Sequence, residues 1–347
     1  MIESPRRILV LPVSGPRGSS ARYRAYQLLP VLRDSGFHVE VVPPAERRPT
    51  LRQISEESYL LHRAEHVDLV LIQKRLFPMG FIRRLAALGK PVVFDFDDAL
   101  FASPDHRSLA DRLWVRARLG GVLKAAACVI AGNRYLADYA AARARRVEVL
   151  PTCVDVRRYQ EKNDYAGRGL NLGWIGSHVT RRHLDALQPV LAELSPKISG
   201  MQLTVVSDEA FSMRGVNVAY RVWSPDDETE AIRAFDVGLM PLQDSAWTRG
   251  NCGLKALQYM AAGVPVVCSA VGANPDLVES GVDGFLCRTD NEWREAVLRL
   301  AADPALRRDV GLRGRAKVEQ LYSVEVVGRR LAELLSSILT PPSRQPA

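Results

Sequence analysis

Residues 250–267, GNCGLKALQYMAAGVPVV, place two glycines, a lysine and a glutamine at the start of a helical pattern that leads into a valine-rich strand. The free N–H groups at the start of a helix attract phosphate, and glycines at 250 and 253 let a diphosphate approach the backbone closely. Lys255 adds a full positive charge, and the Gln258 amide can bond paired hydroxyls such as those of a ribose. The alternative is an ordinary capped helix with Lys255 solvated and Gln258 on an exposed face.

A second group of polar residues follows the apolar run PVVF. Asp95, Asp97 and Asp98 are three carboxylates at the carboxyl end of a predicted strand. Such a cluster, taken alone, suggests a site for magnesium or manganese. A helix N-cap role for one of the aspartates is the alternative.

The first loop, GPRGSSARYR, brings small residues and arginines together after the first predicted strand. Gly18, Ser19 and Ser20 offer N–H and hydroxyl donors, while Arg22 and Arg24 supply positive charge. The loop is therefore a second candidate for phosphate contact, with an ordinary strand-to-helix turn as the alternative.

Short apolar strands alternate with helical patterns from the start of the chain, and the same alternation restarts near residue 170. Buried strands separated by helices predict a parallel sheet covered on both faces, and ligands in such sheets bind beyond the carboxyl ends of the strands. The fold class predicted is α/β, with two Rossmann-like doubly wound domains that face each other across a cleft. We assign residues 1–165 to an N-terminal domain, 166–325 to a C-terminal domain, and 326–347 to a helix, possibly packed back on the first domain, with a tail.

Composition limits the classes of function. The 347 residues are 47% hydrophobic and 25% charged, and their formal net charge is +8. No stretch approaches the roughly 20 apolar residues of a membrane span, no signal peptide is evident, and the five cysteines lack metal-type spacing, so we expect a cytoplasmic location. Nucleic acid is not an expected partner because basic and aromatic residues are not interleaved, whereas the arginine-rich composition allows peripheral contact with the cytoplasmic face of a membrane.

The segments DVGLMPL, GLKALQYMAAGVPVVCSAVGANPDLVESGVDGFLC and RRDVGLRGRAKVEQLYSVEVVGRRL resemble, in this order, the C-terminal half of group 1 glycosyltransferases. These are retaining nucleotide-sugar enzymes with the GT-B fold. The resemblance implies transfer of a sugar from a nucleoside diphosphate to a glycan, a lipid-linked or a small-molecule acceptor, as in bacterial cell-envelope or glycan biosynthesis. It implies no cofactor and no metal, with the donor on the C-terminal domain and the acceptor on the N-terminal domain.

The sequence departs from the family pattern at two pairs of positions. The two family glutamates that contact the donor fall on Gly250 and Gln258, which places the chain in a subgroup with the pattern G-x-C-x-x-K-x-L-Q-Y-M-A. The family's basic pair falls on Ser177 and Arg182, so one cation is kept and Lys255 is expected to supply the other. Loss of the carboxylate at 250 leaves two alternatives open: a non-catalytic homologue that binds a nucleotide sugar or a partner, and another sugar enzyme such as an epimerase.

The resemblance also favours roles for the aspartates other than metal binding. Asp97 occupies a position where many members have a histidine, so Asp97 and Asp98 are expected to be the catalytic residues, and Asp95, Arg22 and Arg24 lie on the acceptor side. Trp223 is expected to stack on the nucleotide base. The residues predicted to bind the donor are Gly18, Ser19, Ser177, Arg181, Arg182, Trp223, Gly250, Asn251, Cys252, Gly253, Leu254, Lys255 and Gln258.

Overall fold

The computed structural model describes residues 6–44, 50–102, 108–167 and 169–340, with the backbone alone for 50–55. The chain divides into two compact units. The first unit combines Met1–Thr152 with Val324–Ala347, and the second is Cys153–Ser323.

The first unit is built on a six-stranded parallel sheet with the order β2-β1-β3-β4-β5-β6. Its central strands are largely apolar, with Gln73 and Asp95 near their carboxyl ends, and every residue of β3 and β4 is buried, as expected for strands covered by helices on both faces. The strands are β1 (Arg6–Pro12), β2 (Phe37–Val41), β3 (Leu69–Gln73), β4 (Val92–Phe96), β5 (Cys128–Ala131) and β6 (Val147–Val149).

Helices connect these parallel strands, because a parallel pair cannot be joined by a tight hairpin. The longest of these helices, α5, begins with a capping box, in which the side chains of Ser108 and Asp111 each accept a hydrogen bond from the other's backbone N–H group. The helices are α1 (Ser19–Arg24), α2 (Leu29–Asp34), α3 (Thr50–Glu65), α4 (Met79–Ala87), α5 (Leu109–Ala125) and α6 (Arg134–Ala141).

The second unit contains a six-stranded parallel sheet with the order β12-β11-β10-β7-β8-β9. Trp174 of β7 and Leu239 of β10 are completely buried in its core or nearly so, at 1% and 0% exposure. The strands are β7 (Leu170–Ile175), β8 (Met201–Ser207), β9 (Val218–Val222), β10 (Val237–Met240), β11 (Val266–Ser269) and β12 (Phe285–Cys287).

The helices of the second unit cover both faces of this sheet, and α10 packs closely on β10. The backbone of Gly238 in β10 meets the ring of Tyr259, and a Cβ at this position would lie 2.4 Å from that ring. The helices are α7 (Arg181–Asp185), α8 (Gln188–Leu194), α9 (Glu228–Arg233), α10 (Leu254–Ala261), α11 (Asn274–Leu277), α12 (Asp290–Ala302) and α13 (Pro304–Leu321).

Residues 153–165, which the sequence assigned to the first domain, belong to the second unit. The reason lies in their bonds to the loop after α10. The Tyr165 hydroxyl donates to the Gly263 carbonyl at 2.8 Å, and the Lys162 N–H donates to the Ala262 carbonyl at 2.9 Å.

The last helix, α14 (Val324–Leu339), belongs to the first unit. It packs on α2, where Gly328 approaches so closely that a Cβ would lie 2.8 Å from Val31. Residues 341–347, predicted to form a tail, lie outside the described residues. No helix in the described ranges is both long and apolar enough to cross a membrane.

The predicted α/β class with two Rossmann-like domains is confirmed by these two sheets. In each sheet the chain order reverses at one point, between β1 and β3 in the first unit and between β7 and β10 in the second. Ligands of doubly wound sheets bind beyond the carboxyl ends of the strands at such a reversal. The loops after β1, β3, β7 and β10 are therefore where a site is expected.

Candidate functional site

The loop after β10 leads into α10 through a backbone turn that requires glycine. Gly253 caps the helix with φ of 73°, and a Cβ on it would lie 2.0 Å from Leu277. The Asn251 side-chain oxygen accepts a hydrogen bond from the Gly253 N–H at 2.9 Å. The N–H groups of the first turn, which begins at Leu254, are thereby set in a fixed orientation.

The rest of this loop is fixed by close packing against the loop after β11. Gly272 approaches so closely that a Cβ would lie 2.6 Å from the Asn251 carbonyl, and the Ala273 N–H donates to that carbonyl at 2.9 Å. Gly250 and Cys252 are buried in the loop, with the Cys252 thiol 3.5 Å from the Gly250 carbonyl. Both residues therefore shape the loop from inside.

Lys255 lies in the first turn of α10 and is half-buried. Its ammonium nitrogen is 5.6 Å from the centre of the Trp174 ring, and no carboxylate pairs with it among the described residues. Burial lowers the pKa of Lys255 to about 8. An ammonium group that has lost water and has no anionic partner favours the arrival of an anion.

The predicted basic residues after β7 lie on the same side of the sheet as Lys255. Arg182 is exposed, whereas Arg181 is half-buried, with its Nε 4.0 Å from Asp185. Burial, together with the nearby charges of Arg182 and Lys255, lowers the pKa of His183 to about 4. The charges of Arg182 and Lys255 thus both act on His183, which is neutral at pH 7.

Ser177, the third predicted member of this group, is exposed at the carboxyl end of β7. It precedes a short 3-10 turn, His178–Thr180, and its carbonyl accepts from the Thr180 N–H at 3.0 Å. Its side chain makes no capping bond to that turn. Thr180, considered as the cap of the following helix, makes none either.

Gln258 and Trp223 converge on a residue that the sequence did not single out. The Gln258 amide donates to Glu228 at 3.0 Å, and the Trp223 indole donates to the other oxygen of Glu228 at 2.9 Å. The same amide nitrogen lies 3.2 Å from the Tyr159 hydroxyl. Gln258 and Glu228 are 4% and 3% exposed, so Gln258 acts as a buried link rather than a residue on an exposed face.

A cavity of about 530 Å³ opens at the carboxyl ends of β10, β11 and β12. His183 forms part of its wall, together with the segments 241–244, 269–271 and 287–290. The His183 Nδ1 accepts a hydrogen bond from the Gln243 N–H at 3.4 Å, which leaves the proton of the neutral ring on Nε2. None of the predicted donor-binding residues lines this cavity.

In the first unit, Asp97 and Asp98 share a lysine that the sequence analysis missed. The Lys74 ammonium lies 3.2 Å from Asp97 and contacts Asp98 directly. Burial alone would lower the pKa of Lys74, but the charges of the two aspartates raise it above its ordinary value. Lys74 follows β3 with a backbone φ of 58°, a conformation that residues other than glycine seldom adopt.

The two aspartates differ because their surroundings differ. Burial disfavours the charge on Asp97, but the charges of Lys74 and Arg24 and the hydroxyl of Ser20 outweigh it, so the pKa of Asp97 is lowered. Burial, reinforced by the charge of Asp97 and only partly offset by Lys74, raises the pKa of Asp98 to about 6. Asp97 therefore stays ionised well below neutral pH, whereas Asp98 loses its proton only as the pH rises through about 6.

The loop after β1 contributes Ser20 to this cluster. The Ser20 hydroxyl donates to both oxygens of Asp97 at 2.8 Å and accepts from the Gln73 amide at 2.9 Å. Gly18 precedes α1 in close contact with Ser14, and Ser19 is exposed at its first residue. Of these loop residues, Ser20 is the one that contacts Asp97 directly.

Arg24 and Asp95 form a buried pair beneath the cluster. Arg24 is 4% exposed and donates two hydrogen bonds to Asp95 through Nε and Nη2, and it also donates to the Leu150 carbonyl at 2.9 Å. Arg22 is 9% exposed and lies 4.6 Å from the Tyr23 ring. The Arg24–Asp95 pair therefore holds the carboxyl end of β4, where Asp97 and Asp98 follow, in place.

Comparison with known families matches one segment of the second unit. Residues 169–303 fit the family described as Glycosyl transferases group 1. The resemblance found in the sequence is therefore confirmed over this segment.

Among curated relatives, a GDP-mannose-dependent monoacylated alpha-(1-6)-phosphatidylinositol monomannoside mannosyltransferase from Corynebacterium glutamicum is 26% identical over 217 residues. The match covers 55% of this chain and 56% of the relative. A D-inositol 3-phosphate glycosyltransferase from Segniliparus rotundus is 27% identical, with 52% and 44% covered. The chain thus spans about half the length of the curated relatives it matches.

Solved structures match nearly the whole chain. Anabaena HepE in complex with UDP and glucose has a TM-score of 0.70 at 19% identity, covering 96% of this chain and 100% of that one. Sucrose-phosphate synthase from Thermosynechococcus elongatus has a TM-score of 0.70 at 16% identity, with 96% and 99% covered. These similarities confirm the predicted fold, that of the GT-B class.

Proposed function

We propose that this chain is a glycosyltransferase that moves a sugar from a nucleoside diphosphate to an acceptor. The observation that carries the proposal is Lys255, a half-buried ammonium in the first turn of α10 with a pKa of about 8 and no carboxylate partner among the described residues. A diphosphate supplies the anion that this position lacks. The names of the curated relatives support a nucleotide-sugar donor.

In the proposed reaction, departure of the nucleoside diphosphate leaves negative charge on the phosphate oxygens. Lys255, Arg182 and the N–H groups at the start of α10 would stabilise that charge as it develops, because all three lie at the carboxyl edge of the second sheet. The Arg182 guanidinium can hold two phosphate oxygens at once. This division of labour requires no metal for the leaving group.

We infer that the acceptor contacts the first unit near Asp97. The ionised carboxylate, fixed by Ser20 and Lys74, can accept a hydrogen bond from an acceptor hydroxyl or stabilise positive charge on the transferred sugar. The Lys74 ammonium already occupies the position between the two carboxylates and offsets part of their charge, which supports a reaction without magnesium or manganese. Retention of the anomeric configuration is part of the proposal, based on the family resemblance.

The acceptor and location belong to the same proposal. A relative that acts on a phosphatidylinositol mannoside supports a lipid-linked or glycan acceptor. Cys128, Cys268 and Cys287 are buried free thiols, which supports a reducing, cytoplasmic location.

The proposal is tested by calorimetric titration of the full chain with UDP, GDP and ADP in the presence of EDTA, followed by assays of sugar transfer and donor hydrolysis. We expect one nucleoside diphosphate to bind without added metal and its sugar conjugate to turn over. Failure of all three to bind would contradict the donor assignment. Binding without turnover would instead favour a nucleotide-sugar-binding homologue, consistent with the glycine at position 250.

A further inference from the structure

Helix α5 exposes large hydrophobic side chains on the face that points away from its own sheet. Leu109 is 72% exposed, Leu113 58% and Trp114 51%. The opposite side of the helix packs inward through the buried residues Val115 and Leu119. A surface helix normally places polar residues on its outer face, so three large apolar side chains in contact with water on α5 call for an explanation.

Positive charge surrounds this apolar strip. Arg116 and Lys124 are exposed on α5, and the Arg118 guanidinium lies 3.8 Å from the centre of the Trp114 ring. Residues 108–146 contain eight basic and two acidic residues. This short stretch therefore carries a net charge of +6, most of the +8 of the whole chain.

An aromatic and basic surface extends from α5 to α6. Arg116 donates to the Phe101 carbonyl at 3.1 Å, and the Phe101 ring stacks on Tyr139 of α6 at 3.6 Å. The guanidinium of Arg143 lies 4.2 Å from the Tyr139 ring. The combination of aliphatic, aromatic and arginine side chains on one surface is typical of segments that lie in the headgroup region of a bilayer.

We propose that this surface, defined by Leu109, Leu113, Trp114, Arg116 and Lys124 and called the α5 face, docks on a bilayer that contains anionic lipids. The leucines and the indole enter the acyl boundary while the cations contact lipid phosphates. Each basic residue near an anionic membrane surface adds to the attraction. Exposed leucines at 109 and 113 distinguish this partner from nucleic acid, which would be contacted by the cations alone.

Docking through α5 has a consequence for the acceptor, which rests on the proposed function. Nine residues lie between Asp98 and Ser108, the cap of α5, so the proposed acceptor residues and the α5 face belong to neighbouring parts of the sequence in one unit. A docked α5 would keep this unit at the surface where a lipid-linked acceptor resides.

The docking proposal is tested without any assay of activity. The full chain is sedimented with vesicles of phosphatidylcholine alone and with vesicles that contain about one quarter phosphatidylglycerol. We expect binding to the anionic vesicles only, weakened when salt is raised from about 0.1 M to 0.5 M. The double substitution Leu113→Ser and Trp114→Ser should reduce binding at least about tenfold, since two apolar side chains no longer enter the bilayer.

Two matched controls isolate the surface. Leu298→Ser with Leu321→Ser removes two leucines of the second unit that are 41% and 48% exposed, and should leave vesicle binding unchanged. Arg116→Glu with Lys124→Glu should abolish the preference for anionic lipid, whereas Arg308→Glu with Arg313→Glu on α13 should not. Circular dichroism of each variant verifies folding.

Several outcomes would overturn the proposal. They are equal binding to both vesicle types, no binding by the natural chain, and full binding by the variant at 113 and 114. A chain that ignores vesicles but shifts a nucleic acid probe would identify a different partner. A dimer that the same double substitution converts to a monomer, without vesicle binding, would assign the face to a second copy.

Discussion

The two units each place a lysine at the carboxyl edge of a parallel sheet, and the two lysines have opposite character. Lys74 follows β3 and lies between two carboxylates, which raise its pKa. Lys255 follows β10, lies beside the Trp174 ring, and has its pKa lowered to about 8 by burial. The lysine of the first unit is thus paired with carboxylates, whereas that of the second has no carboxylate partner among the described residues.

The difference indicates how charge is divided between structure and ligand binding. Lys74 completes a network inside the first unit, so its removal is expected to affect stability first. Lys255 lacks an anion, so its removal is expected to affect ligand binding first. It should also stabilise the free protein, because a partly buried charge is no longer present. The following changes test this division, beginning with the largest expected effect.

Substitution Lys74→Met should destabilise the protein by about 3 kcal/mol, the lower end for breaking a buried pair, because Asp98 keeps some contact with water. The physical reason is that Asp97 and Asp98 then face each other without a cation. Urea unfolding measures the change. Lys124→Met, an exposed lysine of the same unit, is the control, and an equally small effect of both substitutions would contradict the assignment.

Substitution Lys255→Met should weaken nucleoside diphosphate binding by roughly 10- to 100-fold, the worth of one hydrogen bond to a charged group. The same change should raise the melting temperature of the free protein, because it removes an unpaired ammonium group from a partly buried position. Calorimetry and thermal unfolding measure the two effects. Lys197→Met, on the surface of the same unit, should change neither, and a stability loss at 255 would argue for a structural role.

The pH dependence of binding should follow Lys255. Free Lys255 loses its proton as pH rises through about 8, whereas a bound diphosphate holds the proton on it, so affinity should fall by up to about tenfold per pH unit above 8. Titrations at several pH values between about 7 and 9.5 test this expectation. The Lys255→Met protein should show a flat profile, and a parallel fall in both proteins would assign the titration to another group.

Substitution Asp98→Asn should have the smallest effect, visible as a change in the pH dependence of stability. Because the pKa of Asp98 is raised to about 6 in the folded protein, its contribution is present at low pH and is lost as pH rises through 6. The raised pKa corresponds to at most about 3 kcal/mol, and contact of Asp98 with water reduces it, so the variant should gain about 1 to 2 kcal/mol relative to the natural chain as the pH rises from about 4 to 7. Thermal unfolding at these pH values measures it, and a constant difference would show that Asp98 keeps an ordinary pKa.

The fold was predictable because hydrophobic strands and helices alternate with turn residues along the whole chain. The positions of the predicted site residues followed from the same pattern, since residues after parallel strands meet at one edge of a sheet. This explains why Ser20 reaches Asp97 and why Arg182 lies near Lys255.

The partners of these residues were harder to predict. Lys74 was missed because a single lysine after a strand carries no distinguishing spacing, although its place directly after β3, next to β4, was a usable signal. Glu228 was missed because its partner Gln258 is 30 residues away and on another helix. Hydrogen bonds between distant side chains depend on packing that local periodicity does not encode.

The return of α14 to the first unit gives the chain an unusual order of assembly on the ribosome. Cys153–Ser323 is continuous, so the second unit has all its residues as soon as synthesis passes that segment. The first unit must wait for the last helix to emerge before Gly328 can seat against Val31. We therefore expect the part made first to be the part finished last, and a nascent chain that ends before α14 to depend on chaperones.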